Sequence, residues 1–209
     1  MKQTIITLIL SVCCLFTFAQ AFEGEIIYQS SCKSKFPNVT DQQFTDMVGT
    51  VQNYYIKGGD YKTETNGTLI LWQLYVNKEN KLYNKLSSSE PVLYNDCAIN
   101  ADSVLSVELH AGAAEILGYK CDELVLNCKS GIQKYYFSSK LPVDSKLFAN
   151  HKFGNWFAYL SLAKAMPLKM IIDNAQCTIE TTATLVKVAK LDAAMFQLPA
   201  GITTAKSPY

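Results

Sequence analysis

The chain contains 209 residues with 19 basic and 18 acidic side chains, so its formal charge at neutral pH is only +1. Every basic residue is a lysine, and lysine lacks the planar fork with which arginine recognises phosphate groups and guanine edges. Composition and charge therefore exclude nucleic acid as an expected partner.

The N-terminus has the organisation of a secretory signal peptide. Lys2 precedes an apolar segment, residues 5–18, that contains no charge, and the small-residue pattern Ala19-Gln20-Ala21 follows it. We therefore predict a signal peptide over residues 1–21 and a single domain over 22–209, exported to the periplasm or the extracellular space. The apolar segment is shorter than the roughly 20 residues of a spanning helix. No later segment is longer, so no transmembrane segment is expected.

The cysteines that follow the predicted signal peptide are Cys32, Cys97, Cys121, Cys128 and Cys177. An exported protein meets an oxidising compartment, so one or two disulfides are expected. Cys97 is the predicted partner of Cys121, with Cys128 as the alternative, because a strand over 103–109 would bring Cys97 near the hairpin that carries both. No C-x-x-C spacing occurs, so neither a thioredoxin-type site nor a zinc ribbon is indicated.

In chain order, the first half of the domain has the pattern of short strands joined by turns. Thr40 and Asp41 are predicted to cap a short helix whose Phe44, Met47 and Val48 share one face. Strands are predicted over residues 22–30, 51–58, 61–65, 68–76 and 81–86. The fourth of these is apolar at nearly every position, which is typical of a strand covered on both faces.

The second half is organised around a β-hairpin. A strand over 103–109 precedes the segment 115–142, in which two alternating arms are joined by the turn Lys129-Ser130-Gly131. Apolar side chains then recur with helical spacing from Phe153 to Ala163, and this amphipathic helix ends before Pro167. The remaining predicted elements are strands over 167–174 and 176–190 and a short segment over 195–199.

The balance of these elements predicts the fold class. Roughly nine to eleven strands, two helices and no regular β-α-β alternation indicate a mainly β, α+β domain. The expected architecture is a curved antiparallel sheet or half-open barrel with the helix packed across its concave face.

Several motifs resemble those of exported bacterial proteins. The run Ile116-Leu117-Gly118-Tyr119-Lys120-Cys121, the segment 54–64 and the ending from Pro167-Leu168-Lys169 through 196–201 resemble DUF4412, an uncharacterised exported family related to the GLPGLI family. The pattern from Asp192 to Gly201 is also similar to the outer-membrane lipoprotein carriers LolA and LolB. These resemblances cover most of residues 22–209 and imply a LolA-like curved sheet with a helical lid. In the carriers, the concave face holds acyl chains.

The sequence contains no recognisable catalytic or metal-binding motif. Its histidines, His110 and His151, lack the H-E-x-x-H spacing and are expected to be polar surface residues. No G-x-S-x-G, phosphate-binding or dinucleotide-binding pattern occurs. We therefore expect that the chain is not an enzyme, has no cofactor and binds no metal.

The aromatic content, with 2 Trp, 12 Tyr and 10 Phe, leaves two hypotheses open. In the first, the domain binds an apolar ligand, a lipid or acyl chain, between the sheet and the helix. The side chains predicted to contact it are Trp72, Tyr75, Tyr83, Phe153, Trp156, Phe157 and Leu160. In the second, these side chains fill a solid core, and the domain is a structural or interaction module that meets another protein of the cell envelope.

Overall fold

A computed structural model describes residues 21–208 as one sheet with short helical segments. Residues 1–20, and with them nearly all of the predicted signal peptide, lie outside the described residues. The strands are β1 (Gly24–Ser34), β2 (Val51–Lys57), β3 (Asp60–Thr65), β4 (Ile70–Val76), β5 (Lys81–Leu86), β6 (Val92–Asp96), β7 (Val104–Ile116), β8 (Tyr119–Cys128), β9 (Gly131–Pro142), β10 (Ala165–Asn174), β11 (Cys177–Val188) and β12 (Thr204–Lys206). The α-helices are α1 (Asp41–Val48) and α2 (Trp156–Ala163), and 3-10 turns occupy Ser145–Phe148, Phe153–Asn155 and Ala193–Phe196.

The strand order is β12-β6-β5-β4-β3-β2-β1-β11-β10-β9-β8-β7. Every neighbouring pair is antiparallel except β12 and β6, which are parallel. β1 therefore joins two meanders, one formed by β2 to β6 and the other by β7 to β11. The mainly β, antiparallel fold predicted from the sequence is confirmed.

The central hairpin forms where its turn residues predict it. Lys129 and Ser130 separate β8 from β9, and Leu124 pairs with Tyr135 across the two strands. Leu124, Leu126 and Tyr135 are all buried. Successive strand residues point to opposite faces, so this register places the apolar side chains of both arms on one face of the sheet.

Helix α1 begins at its predicted cap. The Thr40 hydroxyl accepts a hydrogen bond from the N–H of Gln43 at 3.2 Å, and the Gln43 side-chain oxygen accepts one from the N–H of Thr40 at 2.9 Å. This capping box pairs N–H groups that the start of a helix leaves open. No residue of α1 is buried, so the helix depends on its cap more than on a buried face.

The sheet curls around the segment that connects β9 to β10, residues 143–164, which we call the inner segment. β3 and β8 are six steps apart in the strand order, a separation of about 29 Å in a flat sheet at ~4.8 Å per step. Asn155 nevertheless donates to the Cys128 sulfur on β8 at 3.3 Å. The ring of the next residue, Trp156, lies 6.2 Å from that of Tyr61 on β3. Two consecutive residues of the inner segment, Asn155 and Trp156, therefore contact strands from the two halves of the sheet. This confirms the curved sheet with a helix across its concave face.

The connection between β6 and β7 joins strands near opposite edges of the sheet. It is attached to the inner segment, because the Cys97 carbonyl accepts hydrogen bonds from the N–H groups of Lys152 at 2.7 Å and Phe153 at 3.1 Å. The Asn100 amide also donates to the Asn155 side-chain oxygen at 2.7 Å. These bonds fix the crossing chain against the middle of the curved sheet.

Apolar side chains are buried on both faces of the sheet. On the concave, inner face, the largest core packs around the inner segment and includes Tyr28, Tyr75, Leu124, Phe148, Tyr159 and Leu160. On the outer face, a smaller core consists of Leu74, Tyr83, Val92 and Phe196. Leu74 and Tyr75 are 1% and 0% exposed, so β4 is covered on both faces as its apolar sequence predicts.

Some element boundaries differ from the sequence prediction. The predicted helix from Phe153 to Ala163 begins only at Trp156, because Gly154 and Asn155 have φ values of 64° and 63° that interrupt the helix. Strands β6 and β12 were not predicted, and the segment predicted over 195–199 overlaps a 3-10 turn. β12 has three residues, which is too short for a periodic pattern to indicate a strand.

The predicted disulfide is not formed, because all five cysteines of the described chain are free thiols. The prediction assumed that Cys97 lies close to β8, at the end of the strand that pairs with it. In the structure, the chain first crosses the sheet after Cys97 and only then enters β7, the strand beside β8. Cys97, Cys121 and Cys128 are all packed in the inner core as free thiols. Burial raises the pKa of the Cys97 thiol to about 12 and that of Cys128 to about 11, so both stay protonated and weakly nucleophilic at neutral pH.

We expect Gly131→Ala to destabilise the fold strongly. Gly131 has a φ of +147°, and a Cβ there would lie 2.1 Å from the Asp173 carbonyl oxygen on β10. Gly118 has a φ of +76° but open space around it, so Gly118→Ala should cost only about 1 to 2 kcal/mol. Urea unfolding should show a larger loss for Gly131→Ala. Equal losses would contradict the close approach of β9 and β10.

Candidate ligand site on the inner face of the sheet

A cavity of about 160 Å³ lies between the inner face of the sheet and the start of α2. Tyr28, Tyr54, Tyr61, Thr63, Gln73 and Trp156 are among the residues that line it. Tyr54, Thr63 and Gln73 are directly paired neighbours on β2, β3 and β4, so their side chains form one row across the inner face. Trp156 covers this row from the helix.

Several buried polar atoms around this cavity lack a hydrogen-bond partner in the protein. They are the Tyr54 hydroxyl, the Thr63 hydroxyl and the Trp156 indole nitrogen. All three residues line the same cavity. A buried polar group without a partner costs about 1 to 3 kcal/mol, and most buried polar groups in folded proteins are paired. The cluster therefore indicates a place where another molecule can supply hydrogen bonds.

The wall of the cavity is supported by a buried histidine. The Tyr61 hydroxyl and His151 Nε2 share a hydrogen bond of 2.8 Å, and the imidazole lies 4.2 Å from the Tyr75 ring between centroids. His151 is 2% exposed, so the prediction of a surface residue was wrong. Burial lowers the pKa of His151 from 6.5 to about 4. The ring is therefore neutral at pH 7 and fixes Tyr61 without adding charge to the site.

Two further cavities adjoin the first one. A second cavity of about 310 Å³ shares Gln73 with the first and is lined by Leu86, Leu93 and Phe153. A third, of about 200 Å³, shares Phe153 with the second and extends to Ile99. We call these three cavities together the inner groove. The second cavity alone reaches the lower limit of about 300 Å³ for small-molecule sites.

A row of side-chain amides crosses the inner groove. The Gln73 amide donates to the Asn84 side-chain oxygen at 2.6 Å, and the Asn84 amide donates to that of Asn95 at 3.0 Å. Because the amides form hydrogen bonds with one another, some of their donors and acceptors already have partners within the protein. Leu86, Leu93 and Phe153 beside them offer apolar surface to a ligand.

The structure places only some of the side chains predicted to contact a ligand beside the inner groove. Phe153 and Trp156 line the inner groove. Of the others, Tyr75 and Leu160 are fully buried in the inner core, Phe157 packs against that core, and Trp72 and Tyr83 belong to the outer face. Leu74 pairs with Tyr83 across β4 and β5, so the alternation of strand residues turns Trp72 and Tyr83 away from α2.

Several residues of the site were not predicted from the sequence. Tyr54, Tyr61, Thr63, Gln73 and Leu93 lie on strands whose alternation indicates two faces. The pattern could have grouped Tyr61 with Thr63, but it does not show which strands are neighbours. Only the sheet order brings their side chains together under Trp156.

The lining residues of the first two cavities include no Asp, Glu, Lys or His. A separate polar cluster lies on β7, β8 and β9. There, Glu123 accepts a hydrogen bond from the Tyr136 hydroxyl at 2.6 Å and pairs with His110 Nδ1 at 2.7 Å. These hydrogen bonds lower the pKa of Glu123. Within residues 21–208, no three His, Cys, Asp or Glu side chains are grouped to hold a metal ion.

Comparisons with known proteins identify similar structures but no family. No family model and no curated protein matches the chain. The chain is similar to PNGF-II, with 16% identity and a TM-score of 0.48 over 90% of this chain and 31% of that chain. It is also similar to LprF from Mycobacterium bovis, with 10% identity and a TM-score of 0.32 over 80% of this chain and 89% of that chain. The chain spans less than a third of the length of PNGF-II.

The structure also bears on the expected absence of a membrane span. Among residues 21–208, neither helix combines the length and the apolar composition that crossing a bilayer requires.

We expect the stability of the protein to fall between pH 6.5 and pH 4 because of His151. Unfolded, this histidine binds a proton at its ordinary pKa of 6.5, whereas the folded protein binds it only near pH 4. The unfolded state therefore takes up more protons in this range, and the full shift corresponds to about 3 kcal/mol.

Urea unfolding of the wild type and of His151→Phe at several pH values measures this contribution. The variant loses the hydrogen bond to Tyr61 at every pH, but its stability should vary less between pH 6.5 and pH 4. Carboxylates such as Glu123, whose lowered pKa also makes folding weaker in acid, are present in both proteins. An unchanged pH dependence in the variant would contradict a neutral, buried His151.

Proposed function

We propose that this chain is an exported, non-enzymatic protein of the cell envelope that binds an apolar ligand, a lipid or acyl chain, in the inner groove. The single observation that carries this proposal is the series of adjoining cavities on the concave face, one of which has a volume of about 310 Å³. Leu86, Leu93 and Phe153 line that cavity. A mostly apolar concave surface with a few placed polar groups is the usual form of a small-molecule site.

Two further features support binding rather than catalysis. The first two cavities of the inner groove are lined without an Asp, Glu, Lys or His, so an acid–base pair is not placed against a ligand there. The resemblance of the segment from Asp192 to Gly201 to the LolA and LolB carriers also fits an acyl chain on the concave face. The predicted signal peptide fits a function in the envelope.

We expect Leu93→Asp to weaken binding of the neutral apolar dye N-phenyl-1-naphthylamine by at least about tenfold, because a carboxylate in an apolar site disfavours an apolar ligand. Leu93 is partly buried and lines the second cavity. The matched control is Leu105→Asp, since Leu105 on β7 is 71% exposed and lines none of the cavities described here.

Dye fluorescence titrated against each purified protein measures the affinities, and lipid extraction followed by mass spectrometry identifies any ligand that copurifies. Equal effects of the two substitutions would contradict binding in the inner groove. Absence of dye binding to the wild-type protein, together with no extracted lipid, would overturn the proposed function.

A second candidate function is protein interaction through β7, the free strand at one edge of the sheet. Leu105, Val107 and Leu109 are 71%, 45% and 63% exposed and alternate along this strand. An edge with unpaired backbone groups and exposed apolar side chains favours pairing with another strand. Antiparallel pairing of two copies about Val107 would place Leu105 opposite Leu109 of the second copy, which is a self-complementary, two-fold contact.

We expect this pairing to produce a dimer that the double substitution Leu105→Lys and Leu109→Lys dissociates, because like charges would then face one another across the two strands. Analytical ultracentrifugation over a range of protein concentrations measures the association. Val188→Lys, at another exposed apolar position (76%), is the control. A wild-type protein that remains monomeric would rule out this contact between copies.

A further inference from the structure

We infer that the Trp156 end of the inner groove binds an uncharged group of the ligand that accepts hydrogen bonds, such as a hydroxyl, amide or ester. This inference rests on the proposed function and narrows it, because it makes the ligand a neutral amphiphile. Its apolar chain would extend past Gln73 towards Phe153, where the groove is wider and apolar.

The hydrogen-bond donors and acceptors of the protein at the Trp156 end determine which ligand group can bind there. The Trp156 indole N–H can only donate, whereas the hydroxyls of Tyr54 and Thr63 can donate or accept. All three polar atoms are buried and unpartnered in the protein, and all three residues line the first cavity. A ligand group must therefore offer at least one acceptor to satisfy the indole, and a carbonyl or hydroxyl oxygen has the lone pairs to do so.

The first cavity is lined without charged side chains, which excludes an ionised ligand group at this end. No Lys, Asp, Glu or His is among its lining residues, and a buried charge without a partner is strongly disfavoured. Burial also raises the pKa of Tyr54 and of Tyr61 well above the ordinary value, so neither becomes an anion. His151, behind Tyr61, is neutral at pH 7 because burial lowers its pKa to about 4.

The opposite end of the inner groove differs from the Trp156 end because charged side chains line it. Asp96 and Lys206 line the third cavity, beyond Phe153. Lys206 is thus the lysine among the lining residues of the three cavities, so an anionic ligand would place its charged group at that end and would leave the Trp156 end to its apolar part. This asymmetry provides a test, because neutral and anionic ligands of equal chain length should differ in their dependence on Thr63.

The experiment compares 1-decanol, decanamide and decanoate as competitors of N-phenyl-1-naphthylamine at pH 8, in the wild type and in Thr63→Val. We expect the substitution to weaken decanol and decanamide by about threefold to tenfold, the value of one hydrogen bond, and to leave decanoate unchanged. Valine matches threonine in shape and removes an unpartnered buried hydroxyl, so the variant should keep or raise its melting temperature. The matched control is Thr184→Val, at an exposed position of β11 outside the inner groove.

A second readout follows the indole of Trp156 directly. Trp72→Phe removes the tryptophan of the outer face and leaves Trp156 as the remaining indole of the described chain. In proton NMR spectra of this variant, decanol and decanamide should shift the indole N–H resonance downfield as the hydrogen bond forms, and decanoate should not.

The outcomes distinguish this inference from the function on which it rests. If none of the three compounds displaces the dye, the proposed function fails and the inference fails with it. If they displace the dye but Thr63→Val has no selective effect and the indole resonance does not move, an apolar ligand binds in the inner groove and the inference is overturned. Selective weakening together with the downfield shift supports it.

Discussion

The curvature of the sheet depends on the inner segment, which contacts strands from both meanders. His151 is hydrogen-bonded to Tyr61 on β3, and Asn155 is hydrogen-bonded to Cys128 on β8. Tyr159 stacks on Tyr135 of β9 with 4.2 Å between ring centroids. These contacts hold strands that would be far apart in a flat sheet within reach of one short segment. An antiparallel sheet alone prefers a gentle twist, so the packing of this segment fixes the stronger bend.

The length of α2 explains why the inner face is only partly filled. Its eight residues extend about 12 Å. The strands beneath it are much longer, and the ten residues of β8 extend about 33 Å. Trp156 at the start of the helix still covers the row that contains Thr63 and Gln73, but no residue of the helix lines the second cavity, beside Leu86 and Leu93. The second and third cavities of the inner groove are the part of it that the helix is too short to cover.

The same geometry accounts for the unpaired polar groups beneath Trp156. A solid core would place apolar side chains at the positions of Tyr54 and Thr63, because buried hydroxyls without partners destabilise the folded state. Proteins retain such unfavourable groups where binding requires them. Other buried tyrosines of the inner face have partners, because the hydroxyls of Tyr28 and Tyr159 donate to the backbone carbonyls of Pro167 and Ala165. Three of the unpaired groups thus line the cavity where the groove begins, and another, His151 Nδ1, lies behind it on the ring that bonds Tyr61.

The sequence by itself determined the local structure of this protein. Alternating residues and turn chemistry predicted the β8–β9 hairpin, most other strands, the cap of α1 and the mainly β class, because these features depend on neighbours in the chain. The tertiary structure alone decided which strands pair, that Cys97 lies away from β8, that His151 is buried, and that Trp72 and Tyr83 face away from α2. It also brought Tyr54, Thr63 and Trp156 to one cavity. These positions depend on contacts between residues distant in sequence, and the alternation within a strand gives two faces without showing which one the helix will cover.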